Sequence, residues 1–293
     1  MTGGPTSTLR AVPGPSGAQR ILSLLGIGIA AGLGSGLFGV GGALLVVPGL
    51  VILLRYPQRI AVGSSMLAVW PTSIIGIVSY TAQGGVDWFV AGVLAAAVVA
   101  GGVLGSWLLA RLPVTVITWL FITLLLVAAV RLALAPPEEH RQIVIDLPHL
   151  LGLLGIGVGV GMLSGVTGAG AGVAIVPLLV LLFGMDPFVA KGVSLVAVVP
   201  NGITTSLLNL RRGLADLRAS AWIFTGGAPA VIAGSLLSGL MTGQVGPLLF
   251  AGFLVAIAAY FAVRLLRRGR APSPRSLGSG DSAESGTNPP ESS

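Results

Sequence analysis

Residues 32–48 read GLGSGLFGVGGALLVVP, and 129 positions later residues 161–177 read GMLSGVTGAGAGVAIVP. Held at that offset, residues 32–106 align with 161–235 without a gap. Gly32, Ser35, Gly36, Gly39, Gly41 and Pro48 meet Gly161, Ser164, Gly165, Gly168, Gly170 and Pro177. Gly63, Ser65 and Pro71 meet Gly192, Ser194 and Pro200, and Gly84, Asp87, Gly105 and Ser106 meet Gly213, Asp216, Gly234 and Ser235. Seven of these pairs are Gly–Gly, where the composition alone would place about two over the aligned stretch. The chain is a duplicated unit.

The solvent for that unit follows from composition. Charged residues make up 9% of the 293, and the mean hydropathy is +0.97. An ordinary soluble domain is roughly 25% charged. Apolar stretches near the length needed to cross a hydrocarbon core of about 30 Å recur through the chain. They run 21–37, 40–54, 60–80, 88–110 and 114–134, then 150–166, 171–183, 190–208, 219–240 and 245–266. The expectation is an all-α, polytopic transmembrane helical bundle of two homologous repeats. Residues 21–134 form the first and 150–266 the second, with a charged linker at 135–149. Polar tails at 1–20 and 267–293, rich in Ser, Gly and Pro, read as disordered.

The 16 basic residues, 15 Arg and Lys191, outnumber 9 acidic ones. They flank apolar segments instead of forming a stripe with aromatics. They therefore read as topology signals and not as a nucleic-acid surface. The quoted stretch then raises a counting question. Residues 21–54 would make one helix of about 51 Å, too long for one crossing and short for two. Glycine and proline weaken a helix, so two helices meeting at a glycine break within the bilayer are expected in each copy. Counting both members of the pair gives five segments per copy, an odd number, and so an inverted repeat. With the N-terminus inside, 13 basic residues then lie inside and three outside. Counting the pair as one crossing gives 12 against 4. Either count places both termini in the cytosol; the preference for Arg over Lys with heavy use of Ala, Gly and Val suggests a GC-rich bacterial genome, and the expected location is the inner membrane of a bacterium.

The breaks are the candidate site. Backbone that leaves the helix inside a bilayer must be buried in protein or line a water-filled cavity. A half-helix starting there aims free N–H groups and its positive dipole end at that cavity, which suits an anion. Gly39, Gly41 and Gly42 in the first copy and Gly168 and Gly170 in the second are the expected backbone donors. Ser35, Ser164, Thr167, Ser65, Ser194 and Asn201 can add neutral hydrogen bonds, with Ser65 and Ser194 symmetry mates. Lys191 is the cation near the site, read as a substrate contact or as an interfacial side chain snorkelling to water. Asp87 and Asp216 read as helix N-caps. Every carboxylate lies in a loop, tail or segment edge, an arrangement that argues against a cation substrate and a carboxylate proton relay.

Enzyme chemistry finds no footing. His140 and His149 are the two histidines and cysteine is absent, so no metal or thiol site is expected. Gly157, Gly159 and Gly161 sit in an apolar helical run and not in a strand–turn–helix, so no dinucleotide site is expected. No cofactor is anticipated.

On these residues the chain resembles the TauE/SafE family of sulfite exporters. The resemblance covers about residues 21–266. It rests on Gly39-Val40-Gly41-Gly42 with Pro48, Ser64-Ser65, and Gly84-Gly85-Val86-Asp87, and on Gly168-Ala169-Gly170, Pro177, Ser194 and Gly213 to Asp216. Ala171 stands where the family's run of adjacent glycines would continue. The resemblance implies export of sulfite, a sulfonate or another organosulfur anion. The expectation is a secondary transporter of a small anion, with the bilayer as its other partner and a homodimer left open. A passive channel for an anion or neutral solute and a non-transporting scaffold are the alternatives.

Overall fold

The computed structural model describes residues 17–108, 114–134, 146–167, 172–241 and 245–269. Within them the regular structure is entirely helical. The first copy supplies α1 (Gly17–Phe38), α2 (Ala43–Leu53), α3 (Gln58–Ala82), α4 (Trp88–Leu108) and α5 (Val114–Leu134). The second supplies α6 (Leu147–Thr167), α7 (Gly172–Phe183), α8 (Pro187–Arg211), α9 (Leu217–Leu240) and α10 (Val245–Gly269). Helices α1, α3, α8, α9 and residues 245–263 of α10 are long and apolar enough to cross a membrane. Most helices overrun the apolar segments by a few residues, because hydrogen bonding continues into the polar flank until a cap ends it. Gly17–Arg20 of the expected tail are helical for this reason; the remainder of both tails and most of the linker lie outside the described residues. Asp87 accepts from the N–H groups of Phe89 and Val90 (both 3.1 Å), and Asp216 accepts from Ala219 (3.0 Å), as N-caps do.

The glycine break stands where the sequence places it, between α1 and α2, but the pair is unequal. At 1.5 Å per residue, the 22 residues of α1 span about 33 Å and the 11 of α2 about 16 Å. Helix α2 also folds back. Gly42 lies beside the Ala31 carbonyl, about two-thirds of the way along α1, and Gly49 packs on the side chain of Ile27. Just beyond α2, the Tyr56 hydroxyl meets the Arg20 guanidinium. A pair that crossed once would hold Arg20 and Tyr56 at opposite ends. Their contact therefore returns the first copy's chain to the side it entered from, which fits five segments per copy and an inverted arrangement of the two repeats.

Packing exchanges helices between the copies. Helix α1 lies along α9, and its mate α6 lies along α4, while α3 meets α8 and α5 meets α10 about the pseudo-two-fold axis. Small residues let the backbones approach, the main means of helix association where lipid is as apolar as the side chains. A methyl group added at Gly28, Gly32 or Gly36 of α1 would lie 2.2–2.4 Å from the carbonyl oxygens of Ile223, Gly227 and Val231 of α9. A methyl group added at Gly161 of α6 would lie 2.2 Å from the Val98 carbonyl oxygen of α4. The symmetry reaches single contacts: a methyl group added at Gly63 would lie 2.0 Å from the Leu214 carbonyl oxygen, and one added at Gly192 would lie 2.0 Å from the Gly85 carbonyl oxygen. All four positions are related by the 129-residue offset. The buried core divides accordingly. Leu24, Ile27, Val46, Leu50 and Ile223 pack α1, α2 and α9 together, and Leu94, Leu125, Leu153, Leu179 and Phe250 fill the larger cluster around α4 to α7 and α10.

Candidate functional site

Gly39, Gly41 and Gly42 take φ of 68°, 77° and 71°. This left-handed region is one that side chains with a Cβ enter at a cost of roughly 1–2 kcal/mol. Three such residues in four turn the chain back sharply and bring it down the side of α8. Gly39 abuts the Lys191 backbone, Gly41 meets the Val198 side chain, and the Ser194 hydroxyl donates to the Gly39 carbonyl. Helix α2 then starts at Gly42, whose carbonyl accepts from Val46 (3.1 Å), with no side chain capping the N-terminus. That N-terminus thus opens in the middle of the bundle.

It opens onto a small, partly open pocket between α1, α2, α3 and α9. Gly28, Gly32 and Ser35 of α1, Gly41 and Gly42 of the break, Val69 and Thr72 of α3 and Gly227 of α9 line it. The Ser35 hydroxyl is buried at 1% exposure and has no hydrogen-bond partner among the described residues. Orphaned buried hydroxyls are uncommon and call for a ligand or a water. The Thr72 hydroxyl is held by the Ala68 carbonyl at 2.8 Å, leaving its oxygen lone pairs to the cavity. Glycine on three sides exposes peptide groups where side chains would otherwise fill space. The lining can offer N–H and O–H donors to a small oxyanion without a fixed charge.

Of the residues singled out in the sequence, Ser35, Gly41 and Gly42 come together here. Gly39 anchors the head of the break on α8. Ser65 is buried in α3 with its hydroxyl on the Val62 carbonyl (2.8 Å), its own helix. Ser194 is committed to the break. Asn201 is buried on α8, facing Gly102 of α4. Lys191 does not snorkel: it is 5% exposed and donates to Ser238 at 2.9 Å. Ser164 and Thr167 fall within α6, but their side chains, like Gly168 and Gly170, lie outside the described residues. The sequence reading missed Thr72. Its signal was present, since Thr72 follows Pro71 as Asn201 follows Pro200 at the repeat offset.

Polar clusters stand at the two ends of this region. At the start of α1, Arg20 and the Tyr56 hydroxyl both meet Asp216, at 3.2 and 2.7 Å, and the Ser64 hydroxyl accepts from the Asp216 N–H at 2.8 Å. Four segments are tied at one residue. Burial opposes ionisation of Asp216, but hydrogen bonds from Ala219 and Tyr56 and the Arg20 charge outweigh it and hold its carboxyl below the ordinary range. A depressed folded-state value adds stability that is present above the unfolded value, about 3.9, and is lost as pH falls through the native one. The Asp216→Asn protein should therefore melt lower than wild type at neutral pH and lose less on acidification below about pH 4, as read by thermal unfolding in detergent. At the opposite end, Lys191, Ser238 and Tyr80 gather near the C-termini of α1, α3 and α9; the Tyr80 hydroxyl donates to the Gly36 carbonyl at 2.5 Å.

Comparison with known proteins agrees with this architecture. The family model described as "Sulfite exporter TauE/SafE" matches residues 24–205 and again 153–286. The second match begins inside the second copy. A "Probable membrane transporter protein" of Xylella fastidiosa (strain Temecula1 / ATCC 700964) is 28% identical over 249 residues, 83% of this chain and 95% of that protein. A "Probable membrane transporter protein" of Haemophilus influenzae is 26% identical over 209 residues, 69% of this chain and 75% of that protein. The "Probable membrane transporter protein YunE" of Bacillus subtilis (strain 168) is 39% identical over 84 residues, 28% of this chain and 31% of that protein. No solved structure matches.

Proposed function

We propose that this chain, which belongs to the TauE/SafE sulfite exporter family and is a multi-pass membrane transporter, moves sulfite or a related sulfonate outward across a bacterial inner membrane. The observation that carries the reading is the unpartnered Ser35 hydroxyl, buried in a cavity onto which the uncapped N-terminus of α2 opens. A small oxyanion there is held by peptide N–H groups, by Ser35 and by the dipole of α2. The inverted repeats supply the means of alternating access, since exchanging the conformations of two symmetric halves exposes one central site to either side in turn. The arginine bias supports cytosolic termini. By the repeat offset alone, Ser164, Thr167, Gly168, Gly170 and Asn201 would supply the second half of the site on this reading.

The test is labelled sulfite flux in proteoliposomes, with sulfate and taurine as competitors. Saturable flux above empty vesicles is expected, and its absence sinks the substrate assignment. Ser35→Ala should raise KM about tenfold, the loss of one hydrogen bond to a charged ligand. It should leave thermal stability unchanged or slightly raised, because it removes an unsatisfied buried hydroxyl. An unchanged KM would remove Ser35 from the site.

A further inference from the structure

We infer that Lys191 is a second, charged station on the transport path, where the oxyanion becomes the counter-ion of a buried ammonium. The inference rests on the anion reading and adds to it a place and a charge requirement. Lys191 lies in the first turns of α8, and its backbone carries Gly39, the head of the break. Its side chain turns inward, away from water. The ammonium has three N–H donors. One goes to the Ser238 hydroxyl, and the Phe250 ring lies 5.8 Å away. No carboxylate among the described residues lies within ion-pair distance; Asp186, at the head of the same helix, instead accepts from the Phe188 N–H at 2.6 Å.

A buried ammonium held by one neutral hydroxyl is costly, and in a membrane such groups are kept where they serve transport. A packing role would be met equally by Met or Leu, without a charge. The donors not used by Ser238 match an oxyanion, and attraction between unit charges is strong where water is excluded. The station is separate from the cavity, whose lining does not include Lys191. The transported species thus meets one site of neutral donors and one of fixed positive charge. This gives selection for negatively charged substrates over neutral organosulfur compounds of the same shape.

The experiment compares wild type, Lys191→Gln, Lys191→Met and Lys191→Arg in two measurements on the full-length protein. In proteoliposomes, Lys191→Gln should raise the KM for sulfite about tenfold or more, while Lys191→Arg stays within about threefold of wild type. In detergent without added anion, Lys191→Met should melt higher than wild type, because a buried charge with no carboxylate in ion-pair contact among the described residues has left the interior. Sulfite should stabilise wild type more than Lys191→Met. A wild-type KM in Lys191→Gln overturns the inference and leaves the anion reading standing. So does a lower melting point in Lys191→Met, which would make the lysine structural. A wild type that neither carries nor is stabilised by sulfite, sulfate or a sulfonate overturns both.

Discussion

Gly41→Val protein reconstituted into vesicles is expected to show no sulfite flux above empty vesicles, a loss of at least about a hundredfold. Two effects combine. Gly41 has φ of 77°, and a β-branched side chain is strongly disfavoured there. Its Cβ would also lie 3.1 Å from Val198, and the valine methyls would extend from a residue that lines the cavity. The break would reorganise, and the α2 N-terminus would lose its aim. Strain of a few kcal/mol at one loop leaves the helices free to insert, so membrane yield and a monodisperse elution profile should persist. Flux near the wild-type rate would show that the substrate does not pass the break.

A different glycine should fail in a different way. Gly32→Val is expected to give little folded protein, with loss seen in detergent-extracted yield and melting temperature before any transport is measured. The added Cβ would lie 2.4 Å from the Gly227 carbonyl oxygen and 2.8 Å from its Cα, and backbone cannot yield as a side-chain tip can. Overpacking a core typically costs about 1–3 kcal/mol, and prying α1 from α9 along their length costs at least that. Gly26 in the same helix is the control. Nothing lies within 4 Å of a Cβ built there, so Gly26→Ala should be neutral or stabilising by up to about 1 kcal/mol. Equal yields for Gly32→Val and Gly26→Ala would mean that α1 and α9 are not in close contact.

The membrane bundle, its ten helices and the repeat were legible in the sequence because each is written in residue type and spacing. Apolar runs mark the immersed part of each helix, and Asp87 and Asp216 mark two of the starts. The break was legible too, since glycines clustered in mid-bilayer admit few other readings. Its direction was not. Whether α2 continues onward or folds back depends on which residues meet, and the Arg20–Tyr56 contact carries no signature in either residue alone. The site was half legible for the same reason. Ser35, Gly41 and Gly42 are close in sequence and in space, whereas Thr72 and Gly227 reach the cavity through packing of α3 and α9. Lys191 shows the limit most clearly. A lone lysine near a helix start reads as interfacial by position, and only the packing of α9 and α10 over it makes it internal.

The exchange of α1 onto α9 has a consequence for how the chain is made. Gly32 emerges from the ribosome 195 residues before Gly227, the residue it must meet. At about 5–20 residues per second that separation lasts on the order of 10–40 s. Throughout it the glycine face of α1 sits unclaimed in the membrane, exposed to any other helix with a small-residue stripe. Helix α6 has no such wait, because its partner α4 is already made. The two halves, near copies by ancestry, therefore differ in biogenesis: the second docks as it is synthesised, and the first must be guarded until the end of translation. Truncation before α9 should leave α1 orphaned and the fragment a target for membrane proteolysis.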